Sequence, residues 1–357
     1  MSTRLAIIVA KIGLLLASTL LSVAALELGL TFWYADLRET GPLELVEEWG
    51  SPFIFKARSH PESKTYGVRR SLPIELATPP GTTRILSYGD SISAGHKLSE
   101  PETYAYMLEK RLSESNDGIV EVLNMSRGHS PTIHSFHLRS DVPRFKPDGV
   151  VLEIELINDV SDEARVHTSG QDEDGLPLQI HRHRYLLGWD GHILSPLSVF
   201  GSSIERTKLY AKLSRWYGRL RYKMNPNPIF EPDSNKTFYH LYPDRFLLTQ
   251  PALDDGFERI FRTVSGIQRY LERQGIRFLL VIIPSRHVFT REQYTETSTA
   301  IVARAERRAE ELEIPYVSMT AALAERGGAE LFMDFCHPTG DGNEVIADVL
   351  EPELVGW

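Results

Sequence analysis

The chain has 357 residues, 42% hydrophobic and 24% charged, with a formal net charge of −9, which is ample for a buried core and ordinary for a globular enzyme. Lys and Arg are scattered, with one modest cluster at Lys208 to Lys223, so nucleic-acid binding lacks an electrostatic footprint. The single cysteine, Cys336, excludes an internal disulfide and any multi-cysteine metal site.

In chain order, the first predicted element is a membrane segment. Ile12 to Tyr34 is an apolar run of 23 residues preceded by Arg4 and Lys11 and closed by Trp33 and Tyr34. That is about the length that crosses a bilayer, and the basic flank favours a cytoplasmic N-terminus with the remainder exported. Glu27 lies near enough to the far interface to reach water. Cleavage after a context such as Val23-Ala24-Ala25 is the competing reading. Residues 1–35 are therefore expected to be an anchor or signal segment, and 36–82 a stalk or an extension packed on the main domain. Pro79-Pro80-Gly81 is a stiff close to that stretch.

From residue 83 to the C-terminus strands and helices alternate. Arg84 to Tyr88, Ile119 to Leu123, Val150 to Ile157, Arg277 to Ile283 and Tyr316 to Ser318 read as strands. Thr103 to Leu112, Ile133 to Val142, Phe257 to Gln274 (with Gly275 as its stop) and Arg291 to Glu313 read as helices, and Glu344 to Leu350 falls in a closing helix. This pattern predicts an α/β fold, a three-layer α/β/α sandwich on a mostly parallel sheet. Residues 160–253 break the alternation. There Asp190-Gly191 suits a hairpin turn and Ser202 to Tyr222 a basic amphipathic helix. The stretch is expected to form a cap-like insertion beside the site. Its aromatic residues, Trp189 and Trp216 among them, are candidates to stack on sugar rings, although packing the cap onto the core is their commoner use.

Two segments carry the chemistry. Tyr88-Gly89-Asp90-Ser91-Ile92-Ser93 follows the first strand, and Asp334-Phe335-Cys336-His337-Pro338 precedes the last helix. A serine hydroxyl attacks poorly until a base takes its proton, and the base must be held by a third group. Ser91, His337 and Asp334 supply those three parts. Gly89 permits a sharp turn, and Asp90 is expected to order that turn rather than react. Asp341 to Glu344 has capping-box spacing for the start of the closing helix. Cys336 beside His337 invites a cysteine-nucleophile reading, but Ser91 has the strand-to-turn setting and a buried packing cysteine is the commoner case.

With Gly-Asp-Ser-Ile after a strand, a glycine in Asn124-Met125-Ser126-Arg127-Gly128-His129-Ser130, Asn158-Asp159 after another strand and Asp-x-x-His before a last helix, the chain resembles the SGNH/GDSL hydrolases over about residues 83 to 162 and 276 to 351. The resemblance implies a flavodoxin-like sheet, an acyl-serine intermediate, and an oxyanion hole made by Ser91, Gly128 and Asn158. Leu156 stands where the family usually has glycine, and the second block, from Asn124 to Gly128, is one residue shorter than usual, so Arg127 and His129 are candidates to shape that side of the pocket.

Other constellations are weaker. Glu153 and Glu155 alternate on one face of the third strand, and a carboxylate pair can suggest a glycosidase, but residues two apart on a strand do not straddle one bond. Salt bridges to arginines of the insertion are expected instead. His181 and His183, with His192 nearby, lack a third ligand of matching spacing, so no metal is expected. Arg286, just past the fourth strand, is a candidate substrate contact.

The expected protein is thus an exported, membrane-tethered serine esterase that cleaves oxygen esters, with acylated (acetylated) carbohydrate as substrate class. It needs no cofactor and works on the periplasmic or extracellular side, or free after signal cleavage. Acyl transfer to polysaccharide uses the same residues and stays open, as do lipid esterase and thioesterase activity. A non-catalytic carbohydrate-binding or assembly role stays open too, but it needs none of the three residues.

Overall fold

The computed structural model describes residues 18–19, 22, 67–115, 118–126, 130–163, 166–182, 185–188, 193–195, 250–290 and 295–357. Apart from Ser18, Thr19 and Ser22, which are helical and exposed, the expected membrane segment lies outside the described residues. Among the described residues no helix is long and apolar enough to cross a membrane.

Five apolar runs form a parallel sheet. They are β1 (Thr82–Tyr88), β2 (Ile119–Asn124), β3 (Gly149–Glu155), β8 (Arg277–Ile283) and β9 (Tyr316–Ser318), in the order β2-β1-β3-β8-β9. Every pairing in this sheet is parallel. Successive side chains of a strand point to opposite faces, and two cores follow directly. Leu86, Val150, Leu152, Leu280 and Ile282 pack with Leu138, Phe257, Phe261 and Ile301. These come from α2 (Pro131–Phe145), α4 (Gln250–Glu272) and α5 (Thr295–Glu311). The alternate residues Ile85, Val151, Leu279, Val281 and Ile283 pack with Leu108, Leu112, Leu323, Ile346 and Leu350. Those belong to α1 (Tyr104–Ser115), α6 (Thr320–Arg326) and α7 (Gly340–Leu354). The architecture is the expected α/β/α sandwich. Sheet order reverses between β2-β1 and β3-β8-β9, and ligands of such sheets bind at the carboxyl ends of the strands beside that switch. Ser91 follows β1 and Asn158 follows β3.

Several boundaries differ from expectation for identifiable reasons. β3 ends at Glu155, and Leu156–Glu163 is a helix, α3; an apolar Leu-Ile pair does not by itself separate a strand end from a first helical turn. α7 is capped by Thr339, whose side chain accepts from the Gly342 N–H at 3.1 Å, so the cap sits two residues before Asp341. α6 was not anticipated. Within the insertion, β4 (His167–Gln171), β5 (Pro177–Arg182), β6 (Tyr185–Gly188) and β7 (Ile193–Ser195) form an antiparallel sheet in sequential order, broader than the single hairpin expected. His181 lies on β5, paired with His167 and Leu186. His183, His192, Trp189, Trp216 and the helix expected at Ser202 to Tyr222 lie outside the described residues.

Residues 67–81 pack on the sandwich, with Val68 and Ile74 buried. Arg84 is fully buried at the start of β1. Its guanidinium pairs with Glu121 at 2.6 Å and donates to the carbonyls of Glu75, Leu76 and Phe145 at 2.7, 3.0 and 2.9 Å. A buried cation is tolerable only when its donors are satisfied in this way, and here they fasten the incoming segment to the sheet.

Candidate active site

β1 ends in Tyr88, and the chain turns at Gly89-Asp90-Ser91. A Cβ on Gly89 would overlap Ser93 Oγ and Glu153 Oε2, so the turn needs glycine for close approach. Asp90 is buried beneath it. Its Oδ1 accepts from the Ile92 N–H at 2.7 Å, and its Oδ2 accepts from Asn158 Nδ2 at 2.9 Å and lies 3.4 Å from Ser91 Oγ. Asp90 thus orders the turn, as its position suggested.

Ser91 Oγ lies 2.8 Å from His337 Nε2. The other ring nitrogen, Nδ1, is 2.9 Å from both Asp334 oxygens. With Nδ1 donating to a carboxylate, the neutral ring presents a lone pair at Nε2 toward the serine hydroxyl. Asp334 Oδ1 also accepts the backbone N–H groups of His337 at 2.9 Å and Cys336 at 3.1 Å. Burial pushes the Asp334 pKa up, but the bonds from the His337 backbone and ring and from Cys336 outweigh it and hold the carboxyl below its ordinary value. It therefore stays charged beside the imidazole. The site brings Ser91 to the Asp334–His337 pair, with Ser91 and His337 246 positions apart in the sequence.

Asn158 sits in the first turn of α3. Its backbone N–H donates to Glu155 Oε2 at 2.7 Å, while the Glu155 N–H donates to Asp159 Oδ2 at 2.9 Å. This reciprocal cap fixes the start of the helix and sets the Asn158 amide beside the nucleophile turn, where it and Ser91 Oγ meet the same Asp90 oxygen. Gly128 lies outside the described residues.

Glu153 and Glu155 make local bonds, and the side chains of the insertion arginines expected to pair with them lie outside the described residues. Both carboxyls are buried. Glu155 caps α3. Glu153 Oε2 accepts from Ser93 Oγ at 2.8 Å and from the Asp90 N–H at 3.3 Å, and Ser93 Oγ in turn meets Tyr104 Oη at 2.5 Å. This knot joins β3, the nucleophile turn and α1. Sequence reasoning missed it because a buried strand alternates like a half-exposed one.

Burial first, and then the Asp90 charge, push the Glu153 pKa well above the ordinary 4.5. A carboxyl with a raised folded-state pKa gives stability that is complete below its unfolded value and is lost as pH rises through the folded one. Wild-type protein is therefore expected to lose stability from about pH 4.5 upward, and Glu153→Gln to lose less over the same range. Thermal melts of both proteins at pH 5 and pH 8 test this. An equal loss in both would mean that Glu153 is not protonated in the fold.

Arg286 braces the catalytic loop. Its backbone N–H donates to Phe335 O at 2.8 Å and its Nε to Ala329 O at 3.1 Å, so its described bonds go to protein carbonyls and not into the site. Cys336 is buried, with Sγ 3.6 Å from His337 Nδ1. Burial, followed by the charges of Glu155, Asp90, Asp334 and Glu153, pushes its thiol pKa far up, so a thiolate nucleophile is disfavoured. Ligand atoms of Asp334, Cys336 and His337 lie within 4.8 Å of one another. Within that group the His337 Nδ1 and the Asp334 oxygens already bond each other.

No family model matches the chain, and no curated protein matches it. Solved structures similar to it are GDSL-type lipolytic proteins and acetylxylan esterases. One is a lipolytic protein of the G-D-S-L family from Desulfitobacterium hafniense DCB-2, with 11% identity, 76% of this chain and 99% of that chain covered, and a TM-score of 0.41. A lipase/acylhydrolase from Enterococcus faecalis gives 13%, 77%, 96% and 0.41. Axe2, an acetylxylan esterase from Geobacillus stearothermophilus, gives 13%, 77%, 94% and 0.43.

Proposed function

We propose that this chain is a serine ester hydrolase of the SGNH/GDSL type. One observation carries the reading: the unbroken line from Ser91 Oγ to His337 Nε2 at 2.8 Å and from His337 Nδ1 to Asp334 at 2.9 Å. Ser91 Oγ attacks the ester carbonyl as His337 Nε2 takes its proton. The tetrahedral oxyanion is met by N–H donors beside Ser91, with the Asn158 amide among them. As the intermediate collapses, the imidazolium returns the proton to the departing alcohol and leaves an acyl-serine. Water then repeats the sequence in reverse, and His337 takes the water proton. Asp334 keeps the imidazole in one tautomer throughout and stabilises its charged form.

The finer reading is an enzyme tethered by residues 12–34 that acts outside the cytoplasm on acetylated carbohydrate. It is supported by the apolar span, its basic flank and the aromatic residues of the insertion. The test supplies the full-length chain in detergent with a short acyl ester, a long-chain ester and an acetylated polysaccharide, each with and without a sugar acceptor. Release of acetate from the short ester and the polysaccharide is expected. Transfer of acetyl to the acceptor in place of release would make it an acyltransferase, preference for the long chain would overturn the carbohydrate assignment, and inertness toward all three would overturn the esterase reading.

A further inference from the structure

The nucleophile turn does not end at Ser91. His96 donates its backbone N–H to Ser91 O at 3.0 Å, and its ring lies against that of His337 with centroids 4.5 Å apart and planes at 33°. A specific backbone produces this placement. Gly95 and Lys97, on either side of His96, both have positive φ, 67° and 62°. Lysine rarely adopts that conformation, and such outliers persist only where surrounding contacts impose them.

Those contacts are present. The guanidinium of Arg69, almost wholly buried, donates to Ala94 O, to Gly95 O at 2.9 Å and to Leu98 O at 2.6 Å. Its backbone N–H is held by Asn124 O at 2.9 Å. A Cβ on Gly95 would run into Arg69 and Thr103. The loop is thus wound about one arginine, and the ring it delivers lies against the base.

We propose that His96 is a positioning residue for His337, a neutral aromatic face that holds the base in plane and favours its imidazolium. The inference rests on the serine-hydrolase reading above. An imidazolium forms on His337 in both chemical steps, and a cation over an aromatic face is stabilised by the ring's negative π surface. Stabilisation that appears only with that charge lowers the barrier rather than strengthening substrate binding. The groups around His96 agree with its neutrality. Burial, then the charge of His337 and then that of Lys97 lower its pKa, against a smaller opposing effect of Asp334.

The test compares wild type with His96→Ala, His96→Phe and His96→Lys, using a short acyl ester across pH and an NMR titration of the His337 ring. In His96→Ala, kcat is expected to fall about threefold with KM little changed. The acid limb of the profile and the His337 titration should both move about half a pH unit lower. His96→Phe should restore all three quantities, and His96→Lys should depress them further. A purely structural role would lower kcat without moving the titration. An unmoved His337 midpoint in His96→Ala, or a phenylalanine variant as impaired as the alanine one, would overturn the proposal. Failure of the esterase reading is told apart by Ser91→Ala matching wild type, and the NMR midpoint still decides the role of His96, because it needs no turnover.

Discussion

Ser91→Ala is expected to lower ester turnover by about 10⁴-fold or more, with little change in melting temperature. The side chain is small and partly exposed, with its hydroxyl bonded to His337 and 3.4 Å from Asp90, so its removal leaves no sizeable cavity. The fold should survive, because the turn is held by groups other than that hydroxyl. Asp90 Oδ1 still accepts from Ile92, Glu153 still accepts from Ser93 and from the Asp90 N–H, and Arg69 still clasps the carbonyls of Gly95 and Leu98. What disappears is the hydroxyl that lies 2.8 Å from His337 Nε2 and can form an acyl bond. Steady-state kinetics on a short ester, with melting curves alongside, separate lost chemistry from lost structure. Turnover within tenfold of wild type would remove Ser91 from the reaction.

Asp334→Asn is the second large effect, and the more informative about roles. The amide oxygen of asparagine can still accept from the backbone N–H groups of Cys336 and His337, now 3.1 and 2.9 Å from Oδ1, so the loop should keep its path. The charge opposite His337 Nδ1 is gone, however, and the amide NH₂ favours the tautomer with its proton on Nε2. That proton would face Ser91 in place of a lone pair. A fall of about 10⁴-fold in kcat is expected, with KM changed far less, since the lost interaction matters when imidazolium forms. A modest fall, within about tenfold, would mean that another group orients His337.

The parts of this protein that were legible in its sequence are those that repeat or that need a particular residue type. Runs such as Arg277 to Ile283 are apolar on both faces because the sheet is covered on both faces, and a buried parallel strand has that appearance. Gly89, Ser91 and the Asp334–His337 spacing stood out because each answers a local chemical requirement. The acids of β3 did not. Glu153 and Glu155 follow the same two-residue period as Val151, and nothing in that period tells a carboxylate satisfied by Ser93 and by backbone N–H groups from one in water. His96 was silent for another reason: its role depends on left-handed backbone at Gly95 and Lys97 and on Arg69, 27 positions before it in the chain. The bonds of Arg286 to Phe335 and Ala329 were not legible either, because a loop residue near a sheet edge can brace the scaffold through its backbone N–H and Nε without any signal in the sequence. Gly128, Trp189 and Trp216 lie outside the described residues.

The central claim is that one serine hydroxyl is made nucleophilic by the imidazole beside it. A fluorophosphonate reacts covalently with such a hydroxyl and scarcely with an ordinary serine, so the full-length protein should be treated with one and its peptides sequenced by mass spectrometry. A single adduct on Ser91, formed by wild type and absent from His337→Ala, is the expected result. An adduct on another residue, or none on a preparation that still cleaves the ester, would contradict it.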